Sequence, residues 1–432
     1  MTDATTIRPA PTAPVATGTP HGERPTPPDD VPAAPAGVPS VDHDPFSDAT
    51  LTDPYPMHEA LREAGPVAWL PQYGVYAVAR YDEVVHVLQH HEIFVSGRGV
   101  GLSDYQKNKP WRPPSLLLEA DPPQHTRARK VATSVFNPKT MRQIRDEFQQ
   151  TADRMVDALF AQGDTVEIDG VADLAAAYPL SVFPDFIGLS EQGRENLLPY
   201  GNMAFNAFGP QNRLYEQAME DGGKATPWIA EQCVVGTPKP GRFGATLHEK
   251  ALEAGLDEDE AARLLRSFLT AGVDTTVHGI GAALRELAEH PEQWAALRQD
   301  PPRARVAFDE TVRFVSPVQT FFRTVNEDTE VSGVSLPEGS KVLMFLAAAN
   351  RDPRHWENPD AFDITRQASG HVGFGFGIHS CVGQIMARLE GECLLGALAR
   401  RVATIEVVGE PELQLNNTLR GWERLPLRLT AA

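Results

Sequence analysis

A lone cysteine set among glycines constrains this chain more than any other feature. The stretch Phe374-Gly375-Phe376-Gly377-Ile378-His379-Ser380-Cys381-Val382-Gly383 leads directly into the helical run Gln384-Ile385-Met386-Ala387-Arg388-Leu389-Glu390. A thiolate at a helix N-terminus is favoured by the positive end of the helix dipole and by free backbone N–H groups. Glycines on both sides let a large flat ligand come close to the backbone. His379, two residues before the cysteine, is placed to meet an anionic group on that ligand. Haem meets all three demands: it is flat, open to an axial thiolate, and carries two propionates.

Two plainer readings compete. One is a buried free cysteine, the usual fate of a lone Cys. The other is zinc, which needs about four ligands at short spacings, whereas only His379 and Cys393 lie near in sequence. The whole loop resembles the haem-binding loop of the cytochromes P-450: Phe, two residues, Gly, one residue, His or Arg, one residue, Cys, one residue, Gly. Phe374, Gly377, His379, Cys381 and Gly383 match it. The resemblance implies that Cys381 is the axial ligand of haem iron, with Phe374, His379 and Gly383 around the cofactor, haem b.

The composition agrees with an intracellular enzyme. Three cysteines among 432 residues argue against a disulfide framework. A net charge of -19 disfavours non-specific nucleic-acid binding. No apolar run approaches the roughly 20 residues that cross a bilayer, and the N-terminus lacks a signal-peptide pattern. The expected location is the cytoplasm, with no membrane partner.

Residues 1–44 are rich in Pro, Ala, Thr and Asp and carry almost no large apolar residues. They read as a disordered tail, leaving one large domain over 45–432. Short helices are expected at Met57 to Ala64 and Asp82 to His90, with a hairpin from Val67 to Ala79 between them. Glu92 to Pro123 reads as a long loop, uncommon unless functional. Helices follow at His125 to Phe136, Thr140 to Gln162, Leu174 to Ile187, Glu191 to Phe208 and within Gln211 to Cys233. A linker, Gly236 to Gly244, precedes one long helix from Asp257 to His290, roughly 50 Å at 1.5 Å per residue. Acidic residues at 257–260 suit its positive end. A helix from Arg303 to Phe314 and strands within Thr320 to Val334 and Lys341 to Leu346 complete the pattern. The fold class is mainly α with a smaller β part, in an order that resembles the cytochrome P-450 architecture across 45–432.

Further stretches carry the same resemblance. Glu310-Thr311-Val312-Arg313 places an acid and a base on one helix face. The family pairs these two with a later arginine, here Arg366, so the resemblance gives Glu310, Arg313 and Arg366 a structural role. His125 and Arg129, one turn apart after Asp121-Pro122-Pro123, together with Arg323 and His379, resemble the partners of the haem propionates. On the long helix, Ala271-Gly272-Val273-Asp274-Thr275-Thr276 is similar to the family's oxygen-binding groove. There Gly and Thr loosen the helical ladder. The resemblance implies that Asp274 relays protons from solvent and that the Thr275 hydroxyl hydrogen-bonds the bound oxygen. A solvated polar stripe is the plain alternative, and Phe268, Leu269 and Ile280 oppose it by marking a buried helix.

The residues name a substrate class less directly. A buried carboxylate needs hydrogen bonds to replace its water. Arg112 and Ser115 on the loop, and Arg266 and Ser267 on the helix, are the residue types for that. Phe205 and Phe208 are spaced to hold a flat ring. Without more, the arginines also read as surface charge and the phenylalanines as core. Stretches such as Lys109-Pro110-Trp111-Arg112-Pro113-Pro114-Ser115, Phe205-Asn206-Ala207-Phe208-Gly209-Pro210 and Asn417-Thr418-Leu419-Arg420-Gly421-Trp422 resemble the bacterial cytochromes P-450 that oxidise para-substituted benzoates. O-demethylation of 4-methoxybenzoate is their typical reaction. The resemblance implies a carboxylate held by Ser115 and Ser267 near Arg112 and Arg266. It places the ring among Phe205, Phe208 and Phe321, with Leu118, Thr270 and Ala271 lining the cavity.

It further implies O2 as co-substrate and electrons from NADH through a ferredoxin reductase and a 2Fe–2S ferredoxin. Arg127, Arg129, Lys130, Arg142, Arg145 and Arg388 form a candidate docking patch, or else scattered surface charge. Three other functions stand beside this one. A peroxide-driven peroxygenase is disfavoured by the Asp274-Thr275 pair, and a haem sensor by the lack of an output domain. A monooxygenase for a cinnamate-type acid, terpene or polyketide differs only in the pocket.

Overall fold

In the computed structural model, which describes residues 33–161 and 163–432, helices wrap a central pair and small sheets lie to one side. The first helix of the pair, Glu258–Ala271, opens with a capping box: the Asp257 carboxylate accepts from the Glu260 N–H (2.8 Å) and the Glu260 carboxylate from the Asp257 N–H (3.1 Å). The acidic first turn is where the sequence places it. The single long helix is not: the chain breaks at Gly272 and Val273 and resumes as Asp274–Glu289.

Side-chain hydroxyls explain the break. Ser267, Thr270 and Thr275 each donate back to the carbonyl four residues earlier, Arg263, Arg266 and Ala271, at 3.1, 2.8 and 2.9 Å. Such back-bonds compete with the ladder and bend helices. Gly272 adds to this, because a Cβ there would lie 2.5 Å from the Phe183 ring.

The Cys loop is fixed from two sides. On one, the Gln384–Arg401 helix follows it. On the other, the Ala304–Val315 helix packs so closely that a Cβ on Gly373 would meet Val312 at 2.7 Å. A five-stranded sheet in the order Ala68–Leu70, Val75–Val78, Lys341–Phe345, Thr320–Val325, Phe94–Val95 carries the far wall of the site. Its Val75–Val78/Lys341–Phe345 pair is parallel and the others antiparallel. Thr165–Asp169, Pro426–Ala431 and Val402–Val407 make a second sheet. The hairpin of Glu412–Leu415 and Arg420–Arg424 lies against the second central helix.

Three expectations need correction. Helices Phe243–Glu253 and Pro291–Gln299 are additional, the first beginning inside the expected linker. The boundary at residue 44 is too late. Val38 and Val41 are buried, and Pro39 and Val41 exchange backbone hydrogen bonds with Trp69 at 2.8 and 2.9 Å. Two apolar residues in a proline-rich segment suffice once a neighbouring strand takes up their backbone. Residues 1–32 of the expected tail lie outside the described residues. Among the described residues, no helix is long and apolar enough to cross a membrane.

Candidate active site

One cavity joins the cysteine loop to the break in the central helices. Cys381 is on its wall, its N–H donating to the Phe374 carbonyl at 2.7 Å. Positive φ at Gly375 and Gly377 turns the loop there, and a Cβ on Gly377 would strike the Leu88 carbonyl at 2.7 Å. Burial raises the Cys381 thiol. The N–H groups of Gly383 and Gln384 and the charges of Arg129 and Arg388 act in the opposite direction. Among the described residues no group of three or more His, Cys, Asp or Glu side chains is placed to hold a metal ion.

Beside Cys381 lies a group of basic side chains with too few partners. His125 is buried and its ring sits 4.4 Å from that of His379. The Nε2 atoms of both have no hydrogen-bond partner among the described residues. Burial, then the charges of Arg129 and Arg323 respectively, holds His125 down to about 4 and His379 to about 3. Arg323 is buried, held down to about 10 by burial, and donates to the Phe322 carbonyl. Arg129 donates to the Ser380 carbonyl at 2.6 Å. Asp121, the acid acting on His125 and Arg323, spends its oxygens on the N–H groups of Ser96 and Gly97 at 2.9 and 2.8 Å. A ligand carrying two carboxylates fits this excess of positive charge, so the residues present fit haem. Arg129, Arg323, Phe374, His379 and Gly383 line the cavity with Cys381, and His125 stands behind His379.

The opposite end holds the expected polar cluster. Ser115 Oγ lies 2.8 Å from Ser267 Oγ and accepts from the N–H groups of Leu117 and Leu118. Arg112 is buried on the cavity wall with Nε and Nη1 unpartnered. Its Nη2 is 3.3 Å from Glu119, whose carboxylate also takes the Tyr105 hydroxyl (2.5 Å) and the Ser115 N–H (2.8 Å). Arg266 differs from expectation: it lies off the cavity wall and donates to the Pro113 carbonyl. Its charge still reaches Arg112, and burial followed by that repulsion lowers its pKa. Phe205, Phe208 and Phe321 form an edge-to-face series at 5.8 and 5.7 Å. They share the wall with Leu118, Thr270 and Ala271.

Sequence reasoning missed Glu119 and Tyr105. An isolated acid in Leu116-Leu117-Leu118-Glu119-Ala120 was a usable signal, because a charge inside an apolar run is buried and paired. Thr275 lines the cavity, whereas Asp274, one residue earlier, is off its wall and buried. Burial alone pushes Asp274 up to about 7.

Glu310 and Arg313 meet as their spacing suggests, and Arg366 joins them as the resemblance implies. Arg313 holds both Glu310 oxygens at 2.8 Å and donates to the carbonyls of Asn350, Pro359 and Ala361. Arg366 reaches Glu310 at 3.2 Å. The candidate docking patch is largely neutralised: Arg127 pairs with Glu260, Arg145 with Glu392 and Arg388 with Asp309 at 2.6–2.7 Å. Lys130 and Arg142 are exposed.

A cysteine facing a cavity, an anion-binding group beside it and a broken helix across from it are the parts of a haem-thiolate oxygenase. The chain belongs to the cytochrome P-450 family. Residues 243–405 match the family described as Cytochrome P-450. Over 397 residues the chain is 56% identical to Cytochrome p450 CYP199A2 of Rhodopseudomonas palustris, covering 92% of this chain and 96% of that one. It is 31% identical to the beta-dihydromenaquinone-9 omega-hydroxylase of Mycobacterium bovis, over 90% and 79% of the two chains. Among solved structures it is similar to cytochrome P-450 CREJ in complex with (4-ethylphenyl) dihydrogen phosphate. There the TM-score is 0.79 at 26% identity, over 90% of this chain and 99% of that one. The protein is therefore a monooxygenase that binds haem b and uses O2 with electron-transfer partners.

Proposed function

We propose that this monooxygenase oxidises the para substituent of aromatic carboxylic acids, with 4-methoxybenzoate going to 4-hydroxybenzoate and formaldehyde. One observation carries the reading. The end of the cavity opposite Cys381 holds buried Arg112 against one buried acid, Glu119, with half-buried Arg266 just off the wall and with the unpartnered Nε and Nη1 of Arg112 and two serine hydroxyls at hand. That leaves one positive charge to be balanced, and a carboxylate balances it. The likeness to an enzyme solved with a para-substituted phenyl anion agrees with this.

Cys381 would hold the haem iron, with Arg129, Arg323, His125 and His379 at the propionates and Phe374 and Gly383 against the ring. Haem, when bound, supplies the oxidising equivalent from O2 and two electrons. The chain's own residues do the rest. Ser115, Ser267 and Arg112 hold the carboxylate, Phe205, Phe208 and Phe321 hold the ring, and the para group is left facing the cysteine end. Burial pushes the Asp274 carboxyl up to about 7, so a share of it carries a releasable proton at neutral pH. The Thr275 hydroxyl passes protons into the cavity and returns to Ala271 O between transfers. The electron donor in this reading is a 2Fe–2S ferredoxin served by an NADH-dependent reductase. Exposed Lys130 and Arg142 are the basic groups left to meet it.

Adding 4-methoxybenzoate to the purified holoenzyme is expected to convert its absorption spectrum from low to high spin. Reduction under carbon monoxide is expected to give the thiolate-type band. The band without the substrate shift would exclude this substrate class. Replacing Thr275 with Ala is expected to leave that titration unchanged. The share of NADH electrons recovered in 4-hydroxybenzoate should fall about tenfold, with peroxide in its place. Unchanged coupling would remove Thr275 from the proton route.

A further inference from the structure

One turn beyond Asp274 on the second central helix stands His278, and the two make a pair that nothing described so far uses. His278 Nε2 lies 3.5 Å from Asp274 Oδ1, and both side chains are almost completely buried. Asp274 Oδ2 and both ring nitrogens of His278 have no hydrogen-bond partner among the described residues. Three such atoms in one place call for bridging water, because buried polar atoms rarely go unpaired.

Two glycines on other elements make room for the pair. A Cβ on Gly201 would meet Asp274 Cβ at 2.9 Å and Oδ2 at 3.3 Å. A Cβ on Gly421 would lie 1.8 Å from His278 Nδ1, so any other residue there would displace the ring. Polar groups continue outward from both glycines. Asn202 follows Gly201, and its side-chain oxygen accepts from Gln414 at 3.3 Å and from Asn416 at 2.8 Å. Gln414 is the cross-strand neighbour of Gly421. Asn202 and Gln414 are both partly exposed. Uncharged polar side chains that reach the surface thus stand next to both glycines, where the Leu197–Asn206 helix and the Glu412–Leu415/Arg420–Arg424 hairpin flank Asp274 and His278, and water between them would complete a polar seam.

We propose that His278 is the group that re-protonates Asp274, drawing protons from this seam. The proposal rests on the reading of Asp274 as proton donor to the cavity. After Asp274 gives its proton inward it is a carboxylate. The neutral ring accepts a proton at one nitrogen from water on the hairpin side and releases the proton of its other nitrogen to the Asp274 carboxylate. One proton enters, one leaves, and no electrons move. Burial supports this direction: it pushes Asp274 up to about 7 and His278 down to about 4, so the proton comes to rest on the carboxyl. Burial is the sole cause of both shifts, and no charged neighbour contributes to either. His278 touches no substrate in this scheme and acts only through Asp274.

The test uses holoenzyme with Asp274→Asn, His278→Phe and His278→Gln. Asp274→Asn is expected to slow product formation roughly a hundredfold and His278→Phe about tenfold. Both should raise the solvent deuterium isotope effect and leave the 4-methoxybenzoate spin shift unchanged. His278→Gln, which keeps hydrogen-bonding atoms in place, is expected to recover part of the loss. An independent readout is the ring nitrogen spectrum of nitrogen-15 histidine-labelled enzyme in its ferrous carbonyl form. The His278 signals should move on Asp274→Asn. If Asp274→Asn is slow while His278→Phe keeps the wild-type rate and isotope effect, the role of His278 is wrong and that of Asp274 stands. If Asp274→Asn is itself unaffected, the parent reading fails and takes this one with it. Should His278→Phe not fold, His278 signals unmoved by Asp274→Asn would overturn the proposal on their own.

Discussion

Removing the charge from 4-methoxybenzoate, as its methyl ester or primary amide, is expected to weaken binding roughly a hundredfold, about 3 kcal/mol. The anchor is built for an anion. Arg112 offers Nε and Nη1 with no acceptor among the described residues. Hydrogen bonds to charged groups contribute about 1.5–3 kcal/mol each, against about 1 kcal/mol for neutral pairs. Glu119 cannot serve in the ligand's place, because its oxygens already take Tyr105, Ser115 and Arg112. An ester therefore buries the same ring but leaves a guanidinium short of charge. The measurement is the dissociation constant from the spin-state titration, acid against ester. Equal constants would show that the ring contacts alone select the ligand and would remove the carboxylate from the proposed substrate.

The parts of this site that were legible in sequence are those where a chemical demand falls on a short stretch of chain. The cysteine loop needs glycines at fixed offsets. Glu310 and Arg313 need one helical turn, and the polar stripe before Thr275 needs one helix face. The loosening by Gly272 and the threonine hydroxyls was legible, but the full interruption of the long helix at Gly272 and Val273 was not, because Phe183 packs there from a distant helix. Strand pairing escaped for the same reason. Thr165–Asp169 gains a partner only when Pro426–Ala431 comes beside it from the end of the chain. Arg266 has the same sequence credentials as Arg112. It turns to the Pro113 carbonyl because its place on the helix face points past the cavity, not into it. Single-residue acids and bases without a periodic pattern, Glu119 and His278, were visible only as charges or rings inside apolar runs.

Glu310→Ala is expected to destabilise the protein by about 3–5 kcal/mol, the cost of breaking a buried ion pair by removing one partner. Glu310 and Arg313 have no exposed side-chain surface at all. Arg313 would keep its three backbone acceptors but lose both bonds to its counter-charge. The damage would travel. Asn350, whose carbonyl Arg313 holds, uses its side-chain oxygen to take the Val372 N–H at 2.7 Å, and Val372 leads into the cysteine loop. Glu310 also takes the Asp363 N–H at 3.1 Å and Arg366 at 3.2 Å, which fixes the segment between them. Haem retention is therefore expected to fall together with the unfolding temperature. Arg366→Ala should do less, because that side chain is partly exposed and supplies only one of the bonds to Glu310. Thermal unfolding with the haem-to-protein absorbance ratio checks both variants. If Glu310→Ala melts like the wild type and keeps its full haem, the ion pair does not support the loop, and packing of Val312 on Gly373 alone must hold Cys381 in place.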